Sequence, residues 1–136
     1  MNLNTTYLGL ELKNPIVCGS CPLGPKVDTV RHLELAGAAA VVLPSLFEEE
    51  ILAADQGEMA MESAGAGFAE ASSYLPDPDG YHVGPSEYLE HLKAAKDAVS
   101  IPVIASLNGT TAGGWTGYAK KMEDAGADAI ELNTYY

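Results

Sequence analysis

Residues 33–43 read LELAGAAAVVL, and residues 122–132 read MEDAGADAIEL. The two stretches lie 89 positions apart and share Glu, Ala-Gly-Ala, Ala and Leu in register. In each, a helix-like pattern runs up to Ala-Gly and an apolar run follows. Gly37 and Gly126 stand where a helix ends in the left-handed conformation, which glycine adopts without steric cost. The runs after them are AAAVVLP at 38–44 and ADAIELN at 127–133. The first lacks polar alternation, as strands covered on both faces do. Each copy therefore predicts helix, glycine-capped turn and buried strand.

Working outward, each copy is preceded by another short apolar run, PIVCGS from 15 and PVIASL from 102. Apolar residues at helical spacing predict helices over 26–36 (Val27, Val30, Leu33, Leu35), 86–99 (Tyr88, Leu89, Leu92, Ala95, Val99) and 114–126. Residues 45–62 also read as helical, with Leu46, Phe47, Ile51 and Leu52 as the apolar stripe and Glu48 to Glu50 on a solvated face. TTYLGLELKNP, at 5–15, predicts a hairpin that turns at Gly9 and ends at Asn14-Pro15. Residues 63–80, with Pro76, Pro78 and Asp79-Gly80, read as a long loop. Strands are expected near 15–19, 39–44, 102–106 and 128–133, parallel and in sequential order. Repeated strand–helix units of this kind specify an α/β chain with right-handed crossovers. A doubly wound sheet would place G-x-G-x-x-G after its first strand, and Cys18 to Gly24 contains none. The fold expected is of (β/α)8 TIM-barrel type: the N-terminal half, about four βα units, preceded by a small β-hairpin, as one domain over 1–136. Four strands are half of a closed barrel of roughly 250 residues. Val42, Ile104 and Ala129 would line its inner face. A missing C-terminal half or a homo-oligomer is expected to cover that face and the free strand edges.

The chain has 136 residues, a net charge of −12 and a pI of about 4.4. Such a surface repels phosphate backbones and anionic lipid, so neither nucleic acid nor membrane is an expected partner; a small-molecule substrate is. No apolar run approaches the roughly 20 residues of a membrane span. Residues 1–14 lack a basic start followed by an apolar core, so no secretory signal is read there. Two cysteines are too few for a disulfide framework, and a cytoplasmic setting is the default.

Those cysteines fall together, in Cys18-Gly19-Ser20-Cys21. The spacing suits small residues lining a strand-end loop, a thiol-redox pair, or half of a zinc site. Zinc wants four ligands and no further cysteine exists, so no metal site is expected. His32 and His91 lie on helices, where they pack or are solvated. His82, in DPDGYHVGP, either contacts a ligand or belongs to ordinary loop structure. Asp77 and Asp79 read as turn formers, and Trp115 and Tyr118 as helix-packing residues. Asn133 ends a buried strand with a polar side chain, on the face where α/β barrels do chemistry. Strand alternation points Glu131 the same way, as a site residue or part of a buried polar layer.

TTYLGLELKNPIVCGS, the AGAAAVVLPS joint, PVIASLNG and AGADAIELN, in that order, resemble the N-terminal half of the dihydroorotate dehydrogenase family, in particular class 1 and dehydrogenase-like members. The resemblance runs from about residue 3 to the chain end. It implies a barrel that binds FMN at the C-terminal ends of its strands and oxidises dihydroorotate to orotate, a step of pyrimidine biosynthesis. Hydride passes to the flavin while a base removes a proton. Carried over by position, Gly19, Ser20 and Cys21 match a small-residue triplet lying against the flavin. Ser106 and Asn108 end the third strand near the cofactor, and Asn133 matches an asparagine touching flavin and substrate. The pattern departs from the family at three places. Pro44 stands where the family has a lysine, the asparagine-rich substrate loop has no counterpart in 72–81, and Tyr136 occupies the position of the catalytic base. The resemblance also implies that FMN binds this half weakly or not at all, because the phosphate site of such barrels commonly comes from the loops after strands seven and eight. Two other functional classes remain open: a non-catalytic barrel or assembly module, and a thiol-redox protein using Cys18 and Cys21.

Overall fold

The computed structural model describes residues 1–52, 54, 84–109, 111 and 114–134. The expected loop at 63–80, with Asp77, Asp79, His82 and Tyr136, lies outside them.

The chain opens with an antiparallel hairpin of β1 (Thr5–Tyr7) and β2 (Leu10–Leu12). Its two-residue turn has positive φ at both positions, 53° at Leu8 and 78° at Gly9. That is the primed turn whose twist matches a hairpin. Asn14 then ties the hairpin exit to the first helix joint. Its Nδ2 donates to Gly37 O at 2.9 Å, and its Oδ1 accepts from Ile16 N at 2.9 Å.

Four strands follow: β3 (Val17–Cys18), β4 (Ala40–Phe47), β5 (Val103–Asn108) and β6 (Ala129–Asn133). They form one parallel sheet in the order β3-β4-β5-β6, as expected from the repeat. Helices α1 (Val27–Leu35), α2 (Pro85–Ala98) and α3 (Gly114–Asp124) connect them. Both copies of the Ala-Gly-Ala joint are the same hydrogen-bonded helix stop. Ala38 N donates to Leu33 O and Gly37 N to Glu34 O; Ala127 N donates to Met122 O and Gly126 N to Glu123 O. Gly37 has φ 105° and Gly126 φ 100°. This double bond pattern requires a left-handed residue at that position.

All three helices pack on one face of the sheet. Val30 of α1, Tyr88, Leu92 and Ala95 of α2, and Tyr118 and Met122 of α3 share a core with Val41, Leu43, Val103, Ala105 and Leu107. A singly wound parallel sheet in sequential order is the arrangement of a barrel segment; a doubly wound sheet carries helices on both faces. No closed barrel is formed by the described residues. The opposite face holds Val17, Ala40, Val42, Ile104 and Ala129, as alternation requires, and Leu10 and Leu12 of the hairpin pack on it. Much of this surface is therefore covered: Ile104 keeps 2% of its surface and Leu12 3%, while Val17 and Ala129 are half-buried. The expectation that an open half barrel would expose this surface is corrected, because the hairpin folds under the N-terminal ends of the strands.

Two further readings change at the end of β4. Leu46 and Phe47 belong to the strand, and helical backbone begins only at 48. Phe47 N donates to Glu50 Oε2 at 3.3 Å, which places Glu50 as the back-reaching half of a capping box. Glu48, expected on a solvated face, is buried at 2% exposure.

Candidate functional site

Along β4–β6 the face opposite the helices is built in rows. The lowest is apolar: Val42 beside Ile104 beside Ala129. The next is polar: Ser45 beside Ser106 beside Glu131. The row nearest the C-terminal ends is Phe47, Asn108 and Asn133. From Ile104 to Ser106 and from Ala129 to Glu131 the step is two residues, as a strand dictates. From Val42 to Ser45 it is three, because the register shifts between them. Pro44 sits inside that shift. Proline has no N–H for a ladder and is tolerated in sheets at bulges. The bulge re-aims the strand, and Ser45, not residue 44, shares the row with Ser106.

The polar row is hydrogen-bonded from end to end. Ser45 Oγ and Ser106 Oγ are 2.7 Å apart. Ser106 Oγ donates to Glu131 Oε1 at 2.8 Å. Asn133 Nδ2 donates to Ser106 Oγ at 3.1 Å and to Glu131 Oε1 at 3.2 Å. Because the Ser106 proton goes to the carboxylate, the Ser45 hydroxyl is the donor to Ser106. Ser106 itself is fully buried. Its backbone lies beside the bulge and finds other partners: the buried Tyr88 hydroxyl accepts from Ser106 N at 3.0 Å and donates to Ser106 O at 3.3 Å. Asn108 Oδ1 is buried with no hydrogen-bond partner among the described residues. An unmet buried acceptor costs about 1–3 kcal/mol, so it marks a place where a ligand donor would be stabilising.

Next to the polar row, a cleft of about 500 Å³ runs between the hairpin and the sheet. Thr5 to Leu8 form one wall; Val17, Gly19, Val42, Ile104 and Glu131 line the other. At the C-terminal ends of the strands a clamp joins the start of the helix after β4 to the segment after β5. Glu48 Oε2 accepts from Thr111 N at 3.0 Å, and Glu48 Oε1 accepts from Thr111 Oγ1.

Of the site residues expected from the sequence, Ser106, Asn108, Asn133 and Glu131 come together on one face. Gly19 reaches the same face at the cleft, with open space where a side chain would project. Ser20 is exposed and Cys21 half-buried. The loop that carries them is pinned elsewhere: Gly24 N donates to Cys21 O at 3.0 Å, His91 Nε2 meets Gly24 O at 2.8 Å, and any side chain at Gly24 would run into the Pro44 ring. His91 is thus a packed residue, and His32 is exposed. Ser45 and Glu48 were missed. Pro44 within an apolar run was the signal for Ser45, since it implies a bulge and a change of parity; Glu48 had none that separates it from its two acidic neighbours.

Cys18 and Cys21 are free thiols with sulfurs 3.9 Å apart. Burial first, and then the neighbouring Cys21 thiol, pushes the Cys18 thiol above its ordinary value. Redox nucleophiles need the opposite shift. Cys18 also packs against the helix-side core. Among the described residues no group of three or more His, Cys, Asp or Glu could hold a metal ion.

No family model matches the chain. Curated proteins do. The chain is 30% identical to the catalytic subunit of dihydroorotate dehydrogenase B (NAD(+)) of Thermoplasma volcanium over 138 aligned positions, covering 97% of this chain and 41% of that protein. The same subunit of Methanocella arvoryzae is 32% identical over 98% of this chain and 40% of its own length. That of Methanosarcina mazei is 33% identical over 94% and 38%. The chain therefore spans about 40% of the length of the curated relatives it matches.

Proposed function

We propose, for a chain related to the dihydroorotate dehydrogenase family along nearly its whole length, that it forms the flavin-facing N-terminal part of an FMN-dependent oxidoreductase barrel of that family. The observation that carries the reading is the set of polar side chains, Ser106, Asn108, Glu131 and Asn133, on one face at the C-terminal ends of a singly wound parallel sheet. Chemistry in such barrels is done at that end of the strands. The residues fit a flavin ring. Asn108 Oδ1 is a buried acceptor awaiting a donor. Gly19 leaves room for a flat ligand beside the cleft.

Ser106, Asn108 and Asn133 would hold the ring, with the Gly19–Ser20–Cys21 loop against it. FMN, when bound, supplies the hydride acceptor. What this chain adds is orientation and a water-poor floor, made by the apolar row and the hairpin beneath it. It adds no positive charge: none of the six lysines, nor Arg31, lies on β3–β6. Pro44 stands at the family's lysine position, so an orotate carboxylate would have to be held from the second half of the barrel. Tyr136 stands at the base position, and a tyrosine with its ordinary pKa near 10 is a weak base at neutral pH. These two replacements favour a second reading, a barrel or assembly module that keeps the scaffold and not the dihydroorotate reaction. Purified protein containing this chain decides between them. A bound-flavin absorbance band that bleaches under anaerobic dihydroorotate supports the enzyme. A colourless protein, or a band that dihydroorotate leaves unchanged, supports the module.

A further inference from the structure

The Asn133 side-chain nitrogen is turned inward, donating to Ser106 Oγ at 3.1 Å and to Glu131 Oε1 at 3.2 Å. Turning the amide over would set its oxygen against a carboxylate oxygen and against a hydroxyl whose proton is already committed to Glu131. That arrangement has two acceptors facing each other and no donor between them, so it is excluded electrostatically. Glu131 is in turn held by the chain of hydroxyls, Ser45 to Ser106 to carboxylate. We infer that Glu131 is a positioning residue: backed by Ser45 and Ser106, it locks the Asn133 amide with its nitrogen in the sheet and its oxygen turned away from the network. Among the described residues Asn133 Oδ1 then carries no hydrogen bond, and Asn108, its cross-strand neighbour, has a buried Oδ1 without a partner. An Asn133 amide held this way presents an acceptor, which suits a ligand edge that donates, such as the N–H of an imide or lactam ring. As an account of function this rests on the flavin-facing reading above; its test needs no ligand.

Glu131 is the only carboxylate on the four strands, and β4 and β5 carry no titratable side chain. The hairpin brings Tyr7 to the same cleft, and its Glu11 is engaged by Thr6 Oγ1 at 2.9 Å. The experiment follows the side-chain amide pair of Asn133 by ¹H–¹⁵N NMR while the Glu131 carboxyl carbon is titrated from neutral pH to pH 3. The expected result is that both Asn133 proton signals move along the Glu131 titration curve. In Glu131→Ala the two signals should converge toward those of a solvated amide. In Glu131→Gln, whose oxygen can still accept, the separated pair should be kept and the pH response lost. Asn133 signals that ignore the Glu131 titration in the unsubstituted protein overturn the inference, whether or not either variant folds. If the titration behaves as expected and no flavin binds, the positioning role stands and the flavin reading falls.

Discussion

Tyr88 does for Ser106 what a ladder partner does elsewhere in the sheet. Its hydroxyl meets both backbone groups of a buried residue beside the Pro44 bulge. Tyr88→Phe would leave a buried N–H and C=O unmet while changing little volume. The expected loss is about 1–3 kcal/mol, read from the denaturant midpoint; an unchanged midpoint would mean that water fills the gap. Glu34 shows a pH effect at the same scale. The Ser100 hydroxyl at 2.5 Å, and then the Ser100 N–H at 2.9 Å, hold its carboxyl below the ordinary value. A depressed folded-state value stabilises above the unfolded carboxylate range near 4.3 and is lost as pH falls through the folded value. Glu34→Gln should therefore be less stable than the unsubstituted chain at pH 7, with the gap closing toward pH 3. A gap of equal size at both pH values would show that charge is not involved. Strand alternation in the sequence correctly put Glu131 on the same face as Asn133, because β6 is regular there. It failed at Ser45, since one extra residue in β4 reverses which side chains face inward.

At the scale of elements, the two Ala-Gly-Ala joints carry most of the topology. Helix stops with left-handed glycines turn the chain back under the sheet at the same point in each unit, which is why the 89-residue repeat was legible. Around Gly126 a methyl group would meet nothing closer than Lys96 Cγ at 3.6 Å, so a substitution there tests the backbone alone. Gly126→Ala should cost about 1–2 kcal/mol by thermal or chemical unfolding, the price of a Cβ at positive φ. Gly24→Ala is a contrasting case: its Cβ would come 2.7 Å from Pro44 Cδ, and the loop after β3 would have to shift. The hairpin was legible from its turn and its Asn14-Pro15 exit. Its role was not, because nothing in TTYLGLEL says that Leu10 and Leu12 will cover the inner face of a sheet built from residues as far along the chain as Ala129. The start of the helix after β4 was misplaced for a related reason. Leu46 is apolar at a helical spacing from Ile51, but it packs from a strand into the same core.

At the scale of the whole molecule, β3 and β6 each pair on one side only among the described residues. Unpaired parallel edges are sites of further strand pairing. The apolar inner row adds little to that drive, since Val42 and Ile104 are buried, yet Phe47 and Leu132 stay exposed at the C-terminal ends of the strands. We expect the isolated chain at micromolar concentration to scatter light as an oligomer, through its two strand edges; a sharp monomer mass with cooperative unfolding would show that the sheet is complete as it stands. The cofactor's phosphate would also lack a cation on this sheet, because none of the six lysines, nor Arg31, lies on β3–β6. The direct test of the flavin-facing reading is therefore a titration of the chain with FMN to millimolar concentration, followed at the side-chain amides of Asn108 and Asn133. The account expects weak, saturable shifts centred on those two amides and on Gly19. Shifts centred elsewhere, or no response at these positions at millimolar FMN, would contradict it.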